Sequence, residues 1–214
     1  MKRIGLLGGS FNPAHRGHRQ LSLAALEALG LDEVWWLVSP GNPLKAGAPD
    51  MAPFEARLAS ARQLAKRAPI RASDIERRLG TRYTIDTVRA LRRRHPGDRF
   101  IWLLGSDTLP DFHKWRDYRN LARILPIAVV PRPGYDRLAY AARAMGWLRR
   151  FVHPVSQAKE WTDWSAPAIV FLRLPPDPTS ATAIRALNPD WHRQPHGRRR
   201  SRAARSASKP QETP

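Results

Sequence analysis

The chain has 214 residues and no cysteine, and it carries 37 Lys and Arg against 18 Asp and Glu, a net charge of +19. That length suits a single domain with a full core, and the cysteine count excludes both a disulfide framework and a thiolate metal site. No apolar run approaches the ~20 residues of a membrane span, and the apolar stretch after "MKR" is too short for a secretion signal, so a soluble, cytoplasmic protein is expected.

In chain order, "RIGLLG" (3–8) predicts a buried strand that opens onto "GSFNPAHRGH". A helix follows over 17–30, with Leu21, Ala24, Ala25, Ala28 and Leu29 at helical spacing and Gly30 as its stop. "EVWWLVS" (33–39) predicts the second strand, and the Pro/Gly-rich residues 40–50 a loop. Pro53 stands near the start of a helix over 53–68, "IRASDIE" (70–76) predicts a strand, and residues 83–96 a helix ended by Pro96. Next come a strand over 99–106, a short helix over 117–125, a strand running into a turn over 126–134 and a helix over 137–150. A strand over 168–174 and a short helix over 180–187 complete the series. This alternation predicts an α/β fold: a Rossmann-like open parallel sheet with helices on both faces, in a single domain over residues 1–190. The remaining 191–214, Arg-, Ser- and Pro-rich with few large apolar side chains, predicts a disordered basic tail. Two readings of that tail stand, a salt-sensitive nucleic-acid arm and a solvated basic extension.

The first strand end carries the strongest chemical signal. Gly8 and Gly9 allow a tight turn and close approach of a ligand, and the following helix presents free N–H groups, which together favour an anion such as phosphate. His15 and His18 stand at that junction, where both rings could reach the same anion. The stretch lacks the Gly-x-Gly-x-x-Gly dinucleotide fingerprint and the Gly-Lys-Ser/Thr of a Walker loop. A zinc pair would need a third ligand and i,i+4 spacing, and neither is present; simple helix capping remains the alternative.

"GGSFNPAHRGH" resembles the signature of the nucleotidyltransferase superfamily, in which His-x-Gly-His follows the first strand. "TSATAIR" (179–185) is similar to its Ile-Ser-x-Thr-x-x-Arg motif, with Thr179 at a usually apolar position. "SPGNPLK", "RYTIDT", "LLGSDTL", "FHKW" and "PRPG" resemble segments of one branch, the bacterial nicotinate-nucleotide adenylyltransferase family, over roughly residues 3 to 188. The resemblance implies adenylyl transfer from ATP to nicotinate mononucleotide, giving nicotinate adenine dinucleotide and pyrophosphate in NAD biosynthesis, with Mg²⁺ arriving on ATP and no protein-held metal.

It also implies the site. His15, His18 and Arg185 would be catalytic; Gly8, Gly9, Ser10, Phe11, Gly105, Asp107, Ser180 and Thr182 would join them in binding ATP. Lys45, Tyr83, Thr84, Trp115 and Arg132 would bind nicotinate mononucleotide, with Trp115 stacking on the ring. Two enzyme alternatives remain at this stage, pantetheine-phosphate adenylyltransferase and a preference for the amide nucleotide. A nucleic-acid binder driven by the tail is the rival from another class. Partners are therefore small molecules, with nucleic acid limited to weak tail contact; the sequence leaves homo-oligomerisation open.

Overall fold

The structure, a computed structural model, describes residues 1–41, 50–173, 177 and 179–193. Seven short segments form strands: β1 (Arg3–Gly9), β2 (Glu33–Val38), β3 (Ile70–Ser73), β4 (Arg99–Gly105), β5 (Ile127–Val130), β6 (Val152–His153) and β7 (Ile169–Phe171). All pair in parallel, in the order β3-β2-β1-β4-β5-β7-β6. The interiors of β1, β2, β4, β5 and β7 are continuously apolar because both faces of the sheet are covered there, whereas β3 and β6 carry the polar Arg71 and His153. Leu6, Trp35, Trp102 and Val129 point into one core, while Leu7, Trp36, Leu103 and Val130 point into the other.

Helices α1 (Arg16–Leu29) and α2 (Phe54–Ala65) cover the second face. α1 buries Leu21, Ala25 and Leu29 at four-residue spacing and ends at Gly30, whose φ of 58° is the left-handed conformation glycine adopts without cost. The first face packs against α3 (Ile75–Leu79), α4 (Thr84–Arg94), α5 (Tyr118–Ile124), α6 (Asp136–Tyr140) and α7 (Met145–Leu148). α8 (Ala181–Leu187) follows β7. Among the described residues no helix is long and apolar enough to cross a membrane.

Strand order reverses between β1 and β4: the chain leaves β1 for β2 on one side and returns through β4 on the other. Their carboxyl ends, Gly9 and Gly105, therefore flank the crevice where open parallel sheets bind ligands.

Two expected elements differ. The strand expected over 70–76 stops at Ser73, whose Oγ accepts from the backbone N–H of Ile75 at 3.2 Å and turns the chain into α3. The helix expected over 137–150 is broken into α6, α7 and a 3₁₀ turn at Arg149–Phe151. Among its buried residues, Ala139, Ala142, Met145 and Leu148 stand three apart, with Ala144 buried beside Met145. That period suits tight turns rather than a 3.6-residue helix. The same spacing, Val155, Ala158, Trp161 and Trp164, marks an unforeseen 3₁₀ segment at Val155–Asp163 packed on the second core.

Candidate active site

The crevice at the strand reversal is a cleft of about 550 Å³. Its floor is the carboxyl end of β1 with the turn that follows. Phe11 adopts a left-handed φ of 49°, unusual for a bulky residue, while its buried ring stacks on Trp36 at 5.1 Å and meets His18 at 4.8 Å. Arg57 fixes the turn from below: fully buried, it donates to the carbonyls of Ser10 (2.7 Å), Ser39 (2.8 Å), Ala52 (3.0 Å) and Pro40 (3.4 Å).

His15 is the N-cap of α1 in extended conformation, and its ring centroid lies 3.8 Å from that of His18. The His15 backbone N–H donates to His18 Nδ1 at 3.2 Å, so the neutral His18 ring carries its proton on Nε2. Behind it, Ser22 Oγ donates to the His18 carbonyl at 2.8 Å and accepts from Trp36 Nε1 at 2.8 Å. Burial pushes the His15 imidazole down to about 4, helped by Arg132 and opposed by Asp177. Burial also holds His18 well below the usual imidazole range, with the neighbouring His15 and Arg132 adding to it. Both rings are therefore neutral at pH 7.

The opposite wall comes from the distant motif. Ser180 caps α8 by accepting from the Ala183 N–H at 3.1 Å. Arg185 reaches across 173 residues of chain to donate to the Asn12 carbonyl at 2.6 Å, and it pairs with Asp50 at 2.7 Å and Thr182 Oγ1 at 3.4 Å. Asn12 closes the network by donating to the Asp50 carbonyl at 2.8 Å and accepting from the Ala52 N–H at 3.2 Å. At the end of β4, Asp107 stands 4.0 Å from the Arg132 guanidinium, and the Arg132 backbone N–H donates to the buried Ser106 Oγ at 2.8 Å. Trp115 lines the cleft, its ring edge-on to Trp102 at 5.9 Å.

The fold thus gathers Gly8, Gly9, Ser10, Phe11, His15, His18, Gly105, Asp107, Trp115, Arg132, Ser180, Thr182 and Arg185 around one cavity. Tyr83 and Thr84 stand outside its lining, at the start of α4, with Arg116 lying 4.6 Å over the Tyr83 ring. Lys45 lies outside the described residues. Asn12, Asp50, Ser106, Arg57 and Asp177 are additions that the sequence reading missed. Asn12 sits inside the "GGSFNPAHRGH" signature and Ser106 inside "GSD", so both were within reach; Asp50, Arg57 and Asp177 carry no local signal.

Three buried polar atoms on cleft residues have no hydrogen-bond partner among the described residues: His15 Nδ1, Trp102 Nε1 and Arg132 Nε. Orphaned groups of this kind are rare in a finished core and are expected where a ligand completes the bonding. No three His, Cys, Asp or Glu side chains among the described residues gather into a metal-binding group.

A parallel sheet, an anion-ready α1 N-terminus and a converging hydroxyl–guanidinium wall define a nucleotidyltransferase, and the cytidylyltransferase-like family model matches residues 6–187. Relatives named "Probable nicotinate-nucleotide adenylyltransferase" include one from Erythrobacter litoralis, 59% identical over 88% of this chain and 86% of its own. Another, from Parvibaculum lavamentivorans, is 50% identical over 86% of this chain and 90% of its own. The chain belongs to the nicotinate-nucleotide adenylyltransferase family. The fold is also that of the Plasmodium falciparum nicotinic acid mononucleotide adenylyltransferase complexed with NaAD, with a TM-score of 0.65 and 17% identity over 87% of this chain and 83% of that one.

Proposed function

We propose that the cleft transfers the adenylyl group of ATP to nicotinate mononucleotide, and that the motif residues gathered there carry the reaction. A 5′-phosphate oxygen of the mononucleotide attacks the α-phosphorus of ATP; the bond from that phosphorus to the bridging oxygen breaks, and pyrophosphate leaves with the electron pair. Charge moves between anions, so positioning and electrostatic stabilisation do the work and no protein nucleophile is needed. His18 Nε2–H donates to the α-phosphate oxygens as charge builds there, with His15 supporting the same phosphate at the N-terminus of α1. Arg185, Ser180 and Thr182 hold the β- and γ-phosphates, the planar guanidinium matching two oxygens at once. Asp107 and Gly105 are placed for the nucleoside, and Trp115 for stacking on the nicotinate ring. Arg132, Lys45, Tyr83 and Thr84 complete the mononucleotide side of this reading.

Mg²⁺ comes with the substrate. Its preferred oxygen ligands are those of the triphosphate and water, and it would screen the phosphate charge during attack.

The observation that carries this reading is the meeting of Arg185 with Asn12 beside His15 and His18, two motifs from opposite ends of the chain on one cavity. The test is pyrophosphate release from ATP with nicotinate mononucleotide, its amide and phosphopantetheine in parallel. The acid nucleotide is expected to turn over fastest, and a preference for phosphopantetheine would overturn the assignment of acceptor.

A further inference from the structure

At the amino-terminal edge of the sheet, one β4 length or about 20 Å from the cleft, lies a second cavity of about 680 Å³. It opens between the end of α4, the start of β4, the α5–β5 junction and the segment before β7. Five arginines line it, Arg89, Arg92, Arg93, Arg99 and Arg123, against a single carboxylate, Asp98. That carboxylate is already engaged: it accepts from the Lys2 backbone N–H at 2.9 Å and lies 3.6 Å from His95.

The guanidinium charge is left largely uncompensated. Arg92, Arg93 and Arg99 are exposed and have no acidic partner among the described residues. Arg123 donates to the neutral Asn120 at 3.0 Å and lies over the Trp147 ring at 5.5 Å, which leaves its charge in place. Arg89 has carboxylates at 3.4 Å (Asp117) and 4.0 Å (Asp86), but all three side chains are solvent-exposed, where such pairs bind weakly. The residues after 193 add six basic side chains and one acidic, so they offer no neutralisation. The inner wall is different in kind: the half-buried Ile124, Pro126 and Trp164 present apolar surface there, backed by the buried Phe100, Leu125 and Trp161.

An apolar wall behind a cationic mouth is complementary to a flat ring carrying a phosphate chain. Clustered guanidiniums repel one another, and a polyanion relieves that repulsion while each planar fork donates to two phosphate oxygens. The volume is of the order of the catalytic cleft's. We propose that this cavity is a second binding site for a nucleoside polyphosphate, remote from the catalytic cleft and independent of the reaction assigned to it.

The test is calorimetric titration of the full chain with MgATP in the absence of acceptor. Two ATP per chain are expected. Replacing Arg92, Arg93 and Arg99 together by alanine is expected to weaken one of them about tenfold or more, with steady-state adenylyl transfer unchanged. Replacing Arg143, Arg149 and Arg150 by alanine removes the same charge elsewhere and is expected to leave both sites intact. Inorganic tripolyphosphate is expected to bind the second site more weakly than ATP, because it cannot use the apolar wall. A single ATP per chain, or an equal loss in the control variant, would overturn the site; tripolyphosphate binding as tightly as ATP would overturn its assignment to a nucleotide.

Discussion

A neutral imidazole is an unusual choice for a pocket that must hold four or more phosphate charges, and at His18 the choice is built in. Protonating Nδ1 would set two N–H groups against each other, because that nitrogen already accepts from the His15 backbone at 3.2 Å. Burial disfavours the extra charge further, and so does Arg132. The kcat/KM profile of the free enzyme should therefore lack a histidine limb near pH 6.5, staying flat on that account from about pH 5.5 to 7.5; an inflection there that vanishes in His18→Asn would contradict the tautomer. Replacing His18 by alanine should lower kcat by about 10²–10³. His15 adds a stability signature. Unfolded, it takes up a proton near 6.5; folded, it does so only at about 4. Between those values the unfolded state binds more protons, so stability falls as pH drops through the window. Urea unfolding of the wild type and His15→Asn across pH 4 to 7 should show a shallower dependence in the variant. Gly17 belongs to the same constellation. A Cβ there would lie 3.1 Å from His15 Nδ1 and 3.3 Å from Asp177 Oδ1. Alanine is the better helix former by about 1 kcal/mol, so Gly17→Ala should keep its melting temperature near that of the wild type while losing about tenfold in kcat through displacement of His15. A parallel loss of stability would mean the crowding acts on the fold instead.

Elements place those residues, and how they do so explains what the sequence disclosed. Strands β1, β2, β4, β5 and β7 were legible as apolar runs, and α1, α2, α4 and α5 as 3.6-residue stripes, because both periods repeat often enough to be seen. Segments that turn every three residues were not: Ala139, Ala142, Met145 and Leu148, with Ala144 between them, are apolar enough to look like one helix, yet the chain breaks into short turns there. Edge strand β6, two residues long, has no pattern to detect. The site divides similarly. Residues whose chemistry is local, such as the two histidines and the capping Ser180, were visible. Their supports were not, because Arg57 acts on carbonyls 5 to 47 positions away and Asp50 on an arginine 135 positions away. Arg57 is the clearest case of one helix setting the turn of another element. Its guanidinium, buried without a carboxylate, satisfies four carbonyls at the ends of β1 and β2 and before α2. Arg57→Met keeps most of the volume and strands those oxygens, which should cost about 2–4 kcal/mol in chemical denaturation. Because the Ser10 turn underlies the cleft, KM for ATP should rise as well; normal KM with lowered stability would restrict Arg57 to a structural role.

At the scale of the whole molecule, charge separates into layers with different consequences. The cleft sets Asp50, Asp107 and Asp177 among Arg132 and Arg185, and the bonds to Asp50 and the Asn12 carbonyl hold Arg185 in place before a phosphate arrives. Preorganisation of that kind contributes to the transition state without a cost of reordering when the substrate binds. Much of the excess that makes the chain +19 lies on exposed helix faces and around the arginine-lined cavity, and the sequence of residues 194–214 adds six basic residues to one acidic. Those last residues contain neither the histidine motif nor the hydroxyl–guanidinium motif, and among the described residues the cleft lining ends at Arg185. Cutting the chain after Arg193 should therefore leave kcat and both KM values close to those of the full chain, because the truncated chain keeps both motifs. Binding of single-stranded RNA should change instead, the slope of log K against log salt shrinking by about 0.7 for each phosphate contact the segment had made. A fall in turnover on truncation, restored by adding the missing peptide in trans, would overturn that expectation and give the basic segment a part in the reaction.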